Sequence, residues 1–235
     1  MIDLHSHFLP DIDDGAKNAV QSIAMLKESF SQGVRLCIAT PHATIHCNND
    51  IEEFLLARKR AIALLKSNLT NRNDIPKLSV GAEVYWDNNI NQYENIERLC
   101  IYGTNALLVE FPLSRHISKY AEEWFYELNR KGIIPVIAHI DRYVFWEEIL
   151  EKLEGLKVNY QINASKFLSI SGRILLRKIL KYDTNYIISS DMHNTSTRAC
   201  NMAAAYKKAK SKYPHIAEDL FLNNAKNILR GVNLF

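Results

Sequence analysis

The sequence predicts a single α/β domain with the layout of a distorted, TIM-like (β/α)7 barrel. Seven short apolar segments alternate with amphipathic helical segments, and no Pro-, Gly- or Ser-rich linker separates them. This alternation is typical of parallel βα units, in a barrel or in an open doubly wound sheet. Residues of the kind that bind metals follow six of the seven strands, and a barrel gathers such positions around one mouth. We therefore predict one barrel domain over residues 1–235.

Each predicted strand is a short apolar run that is rich in β-branched residues. The predicted strands are Ile2–Leu4, Leu36–Ala39, Leu78–Glu83, Ala106–Glu110, Pro135–His139, Tyr160–Asn163 and Tyr186–Ser190. Between them, apolar residues near helical spacing predict helices. The clearest of these are Asn18–Ser31, Ile51–Leu65, Ile117–Lys131 and Ser171–Lys181.

Composition excludes several classes of protein. The net charge of +3 is small, and the basic residues are not gathered into the stripe that a nucleic-acid binder needs, so we expect no nucleic-acid partner. The four cysteines form no Cys-x-x-Cys pair, which favours reduced thiols. No apolar run approaches the roughly 18 residues that span a bilayer, and no leader is recognisable. We expect a cytoplasmic protein without membrane insertion.

The first predicted strand carries His5 and His7, and the last is followed by Asp191 and His193. In extended chain, residues two apart point the same way, so His5 and His7 present both imidazoles to one ion, and Asp191 and His193 repeat the two-residue spacing. Other ligand-type residues stand at or close behind strand ends. They are Asp14, His42, Glu83, Glu110 and His139. Any one of these residues alone is weak evidence for a metal site, and the prediction rests on their recurrence.

The chemistry of this ligand set predicts a hydrolase with more than one metal. Imidazoles and carboxylates without thiolates suit Mn, Fe or Zn, and nine ligands are too many for one tetrahedral ion. Two or three ions use them economically, and ions roughly 3.5–4 Å apart activate a bridging hydroxide and neutralise phosphoryl oxygens. Arg142 and Arg198 follow ligand positions closely, and a guanidinium grips phosphoryl oxygens in bidentate fashion. We predict that these two arginines are catalytic.

Other phosphatase chemistries lack their signatures. No cysteine is followed six positions later by arginine, which excludes a cysteine-dependent phosphatase loop. The segment Asp11–Gly15 lacks the Asp-x-Asp-x-Thr/Val pattern of an aspartyl-phosphate enzyme. A Gly-rich phosphate loop and a Gly-x-Ser-x-Gly elbow are missing as well.

In their order along the chain, these motifs resemble the polymerase and histidinol phosphatase (PHP) superfamily. The matching segments are Asp3-Leu4-His5-Ser6-His7, Asp13-Asp14-Gly15, Thr40-Pro41-His42, Gly81-Ala82-Glu83, Glu110-Phe111-Pro112, Ala138-His139 with Arg142-Tyr143, and Asp191-Met192-His193-Asn194 with Arg198. Within the superfamily, the chain is most similar to bacterial manganese-dependent protein-tyrosine phosphatases of capsule and exopolysaccharide operons. It departs from their pattern at Ile140-Asp141, where Pro-Glu is expected, and it has no Pro-Pro pair after Arg198.

The resemblance implies a site of three Mn²⁺ ions and a phosphotyrosine substrate. His5, His7, Glu83 and Asp191 would hold one ion, Glu83, Glu110 and His139 a second, and Asp14, His42 and His193 a third. Arg142 and Arg198 match the family's phosphate-binding arginines. The implied partner is the tail of a bacterial tyrosine kinase of polysaccharide assembly, and many members of the family form homo-oligomers.

Two other functional classes stay open at this point. Another PHP phosphoesterase would act on histidinol phosphate or on a nucleotide or other phosphodiester. A decayed barrel would bind a kinase tail without catalysis, although the complete ligand set argues against decay.

Overall fold

The computed structural model describes residues 1–70, 73–86, 92–113 and 116–235. Parallel strands alternate with helices along the chain, as the sequence predicts. The strands are β1 Ile2–Ser6, β2 Leu36–Ala39, β3 His42–Ala43, β4 Lys77–Val80, β5 Glu83–Tyr85, β6 Ala106–Glu110, β7 Ile134–Ile137, β8 Asn159–Asn163 and β9 Asn185–Ser189. The helices are α1 Ala19–Ser31, α2 Asn48–Asn68, α3 Ala121–Arg130, α4 Trp146–Lys152, α5 Ala164–Leu168, α6 Ile170–Ile179, α7 Met202–Lys212 and α8 Asn224–Ile228.

The strands form two parallel sheets. One has the order β1-β2-β4 and the other the order β3-β5-β6-β7-β8-β9. The chain changes sheet three times. The first change is between β2 and β3, where Pro41 has no backbone N–H to continue a ladder, and the second is the return from β3 to β4. The chain changes again between β4 and β5, so the predicted strand Leu78–Glu83 is wrong as one element: Gly81 and Ala82 divide it. β2 and β3 together form one pass of the chain, and so do β4 and β5. The nine strands therefore make seven passes, the number that the sequence predicts.

Helix limits follow from local capping. The Asn18 side chain accepts a hydrogen bond from Gln21 N at 3.0 Å and begins α1, and Ser169 caps α6 through Gly172 N in the same way. The predicted start of the third helix at Ile117 is wrong, because α3 begins at Ala121. Its predicted end is confirmed within one residue, and Gly132 follows with a positive φ of 78°.

Apolar residues divide between two clusters. The smaller one joins one face of several strands, with Leu4 from β1, Ile38 from β2, Leu108 from β6, Val136 from β7 and Ile187 from β9. The larger cluster takes residues of the opposite strand faces and packs them against the helices. Alternation along each strand therefore separates an inner core from an outer one. In the part of the chain that the structure describes, we find no helix of the length and apolarity needed to cross a membrane.

Candidate metal centre

The predicted site residues all meet at the carboxyl ends of the strands. His5 lies in β1, His42 in β3, Glu83 in β5 and Glu110 in β6, while His139 follows β7. The remaining residues come from the segments after β1, β7 and β9. They are His7, Asp14, Arg142, Asp191, His193 and Arg198. The fold thus brings side chains that are up to 193 positions apart in sequence into one cluster.

A β-bulge aims the first histidine pair. Ile2 pairs with Leu36 and Asp3 with Cys37, but the next pair is Ser6 with Ala39, so β1 contains one extra residue. Leu4 packs in the inner core, so regular alternation would point the next side chain, His5, to the opposite face. The extra residue turns His5 toward Glu83 instead. The Nε2 atoms of His5 and His7 are 3.1 Å apart, which agrees with the predicted convergence of this pair.

Glu83 stands at the centre of the cluster. Its Oε2 lies 3.1 Å from His5 Nε2 and 3.2 Å from His7 Nε2. The same oxygen is 3.1 Å from His42 Nδ1, while Oε1 is 2.9 Å from His139 Nε2. Burial by itself would raise the pKa of Glu83, but the surrounding imidazoles hold it well below its usual value. Glu83 is therefore a buried anion shared among four imidazoles.

The two predicted ligand positions after β7 and β9 have a strained backbone. His139 has a φ of 30° and Asp191 a φ of 51°, in the left-handed region that residues other than glycine seldom adopt. Such strain costs roughly 1–3 kcal/mol per residue and is typical of functional sites. The turn at Asp191 brings its Oδ1 to 3.6 Å from both His5 Nε2 and His7 Nε2. It also holds His193 Nδ1 at 3.5 Å from that oxygen.

The loop after β1 carries Asp14 to the outer side of the cluster. Asp14 Oδ1 lies 3.2 Å from His193 Nε2 and 3.4 Å from His42 Nε2. Gly15 makes this approach feasible, since a Cβ there would lie only 2.1 Å from the His7 carbonyl oxygen. The loop therefore needs glycine at this position.

The donor set fits divalent ions. Three groups have ligand atoms within 4.8 Å of one another: His5, His7 and Glu83; His7, Asp14, His42 and His193; and His42, Glu83 and Glu110. Three imidazole nitrogens surround Glu83 Oε2, yet within the described residues this buried oxygen accepts no hydrogen bond of good geometry, and His193 Nε2 has no hydrogen-bond partner either. Unpartnered buried polar atoms are costly, and a shared cation would satisfy both.

Both predicted arginines border this cluster. Arg198 Nη2 lies 3.0 Å from each carboxylate oxygen of Asp191, and its Nη1 is 3.5 Å from Asp14 Oδ2. Arg142 Nη1 lies 3.8 Å from Glu110 Oε1 and 3.4 Å from His139 Nε2. Each side chain is 38% exposed, so both guanidinium groups contact the cluster and also face solvent.

Sequence reasoning missed three residues that hold the predicted ligands in place. Gln161 Oε1 accepts hydrogen bonds from the His139 backbone N–H at 2.6 Å and from His5 Nδ1 at 3.0 Å. Asn163 donates from Nδ2 to Asp191 Oδ2 at 3.0 Å, and Gln161 donates to Asn163 at 2.9 Å.

The third missed residue is Asp13, whose carboxylate lies 2.7 Å from His7 Nδ1. Burial opposes the charge on His7, but Asp13 and Glu83 raise the pKa of His7 to about 10. For Gln161 and Asn163, a signal was available in the sequence: they are two amide residues, two positions apart, that end an apolar strand. Asp13 has no such signal, because it is one of three neighbouring aspartates.

The family model described as capsular polysaccharide synthesis, CpsB/CapC, matches residues 1–230. The chain belongs to the CpsB/CapC family. Tyrosine-protein phosphatase YwqE of Bacillus subtilis strain 168 is 31% identical over 243 residues, covering 100% of this chain and 94% of that protein. Tyrosine-protein phosphatase CpsB of Streptococcus pneumoniae is 29% identical over 243 residues, covering 97% and 98%.

A solved structure from the same family has the same fold. It comes from work on YwqE from Bacillus subtilis and CpsB from Streptococcus pneumoniae, described as metal-dependent tyrosine phosphatases. It superposes with a TM-score of 0.82 at 28% identity and covers 100% of this chain and 96% of that chain. The predicted family resemblance is thus confirmed, and with it the mixed α/β fold with parallel sheets.

Proposed function

We propose that this CpsB/CapC member is a metal-dependent protein-tyrosine phosphatase. The observation that carries the proposal is the buried carboxylate of Glu83 among four imidazoles, bordered by two half-exposed guanidinium groups. Such a centre suits a phosphate monoester, because it combines ligands for several cations with two bidentate phosphate donors. Family relatives named as tyrosine-protein phosphatases supply the substrate class.

We assign the ligands in three sets. His5, His7, Glu83 and Asp191 would hold a first ion, Glu83, Glu110 and His139 a second, and Asp14, His42 and His193 a third. The geometry supports these sets: Glu110 Oε1 is 3.3 Å from His139 Nε2, and Asp14 Oδ1 is 3.2 Å from His193 Nε2. For the metal, we propose two or three Mn²⁺ ions, since oxygen and imidazole donors without thiolate suit Mn²⁺ as well as Fe or Zn.

In the proposed mechanism, Arg142 and Arg198 bind and orient the phosphoryl group. When bound, the ions would lower the pKa of a coordinated water and neutralise charge on the phosphoryl oxygens. The guanidinium groups stay charged at any physiological pH and donate to two oxygens at once. Asp191 keeps Arg198 in place through both carboxylate oxygens. The leaving phenolate has a parent pKa near 10, so it departs with little help from a general acid.

We further propose that the two sheets close into one barrel and that residues 1–235 form one domain. Support comes from two hydrogen bonds between the first and last strand regions. Asp191 N donates to His5 O at 2.9 Å, and His7 N donates to Met192 O at 2.9 Å. Closure would place all ligand-bearing strand ends around one mouth.

The proposed partner is a phosphotyrosine protein, and for a capsule-synthesis family we infer the tail of a bacterial tyrosine kinase. The test is hydrolysis of a phosphotyrosine peptide beside histidinol phosphate and a phosphodiester, with chelator-stripped protein and Mn²⁺ added back. We expect Mn²⁺-dependent turnover with a strong preference for phosphotyrosine. Preference for another ester would replace the substrate assignment, and absence of turnover with metals bound would overturn the enzymatic proposal.

A further inference from the structure

Of the seven passes of the chain, the one that ends with β8 supplies no proposed metal ligand, and residues beyond β8 line a groove instead. The groove adjoins the metal centre because Arg142 belongs to both. It encloses about 520 Å³ and opens widely to solvent. Its lining residues are Leu113, Asp141, Arg142, Ser165, Lys166, Ser169 and Ser171.

Positive charge dominates this groove. Lys166 and Arg142 both line it, and Arg142 is 38% exposed. Arg173 lies close by, since its guanidinium donates to Ser169 O at 2.8 Å. Among the described residues of the lining, the one carboxylate is that of Asp141, and its Oδ1 accepts a hydrogen bond from the backbone N–H of Asn163 at 2.8 Å.

The rest of the lining suits a peptide. Ser165, Ser169 and Ser171 contribute hydroxyl groups, and Leu113 presents an apolar side chain that is 65% exposed. An extended peptide advances about 3.3 Å per residue, so residues within about three positions of a phosphotyrosine held at Arg142 reach along the groove.

We propose that this groove binds an acidic side chain that flanks the phosphotyrosine of the substrate peptide, with Lys166 as its partner. The proposal rests on the proposed phosphatase function and adds a specificity-determining residue to it. Lys166 does not contact the reacting phosphate. It acts on peptide substrates through charge complementarity, while a small aryl phosphate reaches the metal centre without touching it.

The test compares Lys166→Glu and the milder Lys166→Ala with a matched control, Lys77→Glu. Lys77 is exposed at the start of β4, at the opposite end of the strands, and its substitution changes the net charge equally. Each protein is loaded with Mn²⁺ and assayed with three substrates: a phosphotyrosine peptide flanked by Glu, the same peptide flanked by Lys, and p-nitrophenyl phosphate. Thermal melting checks that the variants fold.

For the Glu-flanked peptide, we expect KM to rise roughly two- to fivefold with Lys166→Ala and at least about tenfold with Lys166→Glu. Lys166→Glu should also improve the Lys-flanked peptide, while kcat/KM for p-nitrophenyl phosphate stays within about twofold of the parent protein. Equal effects on all three substrates, or no effect on the peptides, would overturn the groove proposal.

Direct binding separates this proposal from the phosphatase function. If the Mn²⁺-loaded parent protein hydrolyses neither the phosphotyrosine peptides nor p-nitrophenyl phosphate, the proposed function fails, and fluorescence anisotropy of the labelled Glu-flanked phosphopeptide still tests the groove. Weaker binding to Lys166→Glu than to Lys77→Glu supports the groove. Equal binding to the two variants contradicts it.

Discussion

The inner and outer sides of the metal centre differ in burial. The inner residues are His5, His7, Glu83, His139 and Asp191, all buried. The outer residues are Asp14, His42, Arg142 and Arg198, with side chains between 35% and 61% exposed. Ionisable groups are costly to bury without a cation or a charged partner, and the inner residues cluster with one another. The outer residues are accessible to a ligand from solvent.

This difference separates the metal binding of the inner residues from the substrate handling of the two outer arginines. An inner residue forms ion pairs with its buried neighbours and is also a proposed metal ligand. Its loss therefore leaves other buried charges without partners. An outer residue retains access to water, which partly replaces a lost contact. Substitutions on the inner side should therefore lower metal content, and substitutions of the outer arginines should lower turnover while metals remain bound.

The largest expected effect is that of Glu83→Gln. The neutral amide cannot balance four imidazoles or bridge two ions, so we expect most of the metal to be lost. Turnover should fall by more than about 10³-fold, beyond the loss expected from removing a single transition-state donor. Elemental analysis by mass spectrometry measures the metal, with the exposed Glu97→Gln as the control. Full metal content in Glu83→Gln would break the distinction between the two sides.

A pair of histidine variants sharpens the comparison next. His139→Ala removes an inner imidazole, and we expect the protein to lose about one ion per chain, because the loss of a ligand lowers metal affinity. His42→Ala removes an imidazole that is 35% exposed, and excess Mn²⁺ should restore its activity. Metal titration followed by rate measurement compares them. An unchanged metal count in His139→Ala would contradict its place among the inner ligands.

Arg198→Ala tests the outer side. We expect normal metal content and a loss of turnover of about 10²-fold, the size expected for one donor to developing phosphoryl charge. The exposed Arg130→Ala is the control, since that guanidinium pairs only with the nearby Glu127 among the described residues. If Arg198→Ala loses metal instead, its two hydrogen bonds to Asp191 are its main role, and the arginine belongs with the inner residues.

The smallest expected effect concerns Gln161, which holds two inner residues without being a ligand. Gln161→Leu removes the acceptor for His5 and for the His139 backbone, and Mn²⁺ affinity should fall roughly 10- to 100-fold. Gln161→Glu keeps an acceptor oxygen at this place and should recover much of that affinity. Competition with a metallochromic chelator measures both variants. Equal affinity in Gln161→Leu and the parent protein would remove Gln161 from the metal centre.

Much of the candidate site followed from the sequence because the predicted ligands stand at strand ends. The spacing of His5 and His7 predicted their convergence, and strand alternation predicted that Glu83, Glu110 and His139 would meet. These inferences need only the periodicity of strands and the rule that parallel strand ends lie together. The same reasoning predicted the α/β class from alternating elements.

The remaining features depend on local backbone geometry, which periodicity does not contain. The bulge in β1 places Leu4 in the inner core and His5 at the mouth, contrary to simple alternation. The left-handed turns at His139 and Asp191 are imposed by the tertiary structure, because neither residue type favours them enough to predict them. The division of the strand at Gly81 and Ala82 likewise depends on neighbouring strands.

Anomalous X-ray diffraction from crystals grown with Mn²⁺ tests the central claim most directly. Data collected on either side of the manganese absorption edge locate the ions independently of activity. We predict more than one manganese peak at the mouth, with one within coordination distance of His5, His7, Glu83 and Asp191. Manganese peaks located elsewhere, or none in crystals of protein that hydrolyses phosphotyrosine, would contradict the assigned metal centre.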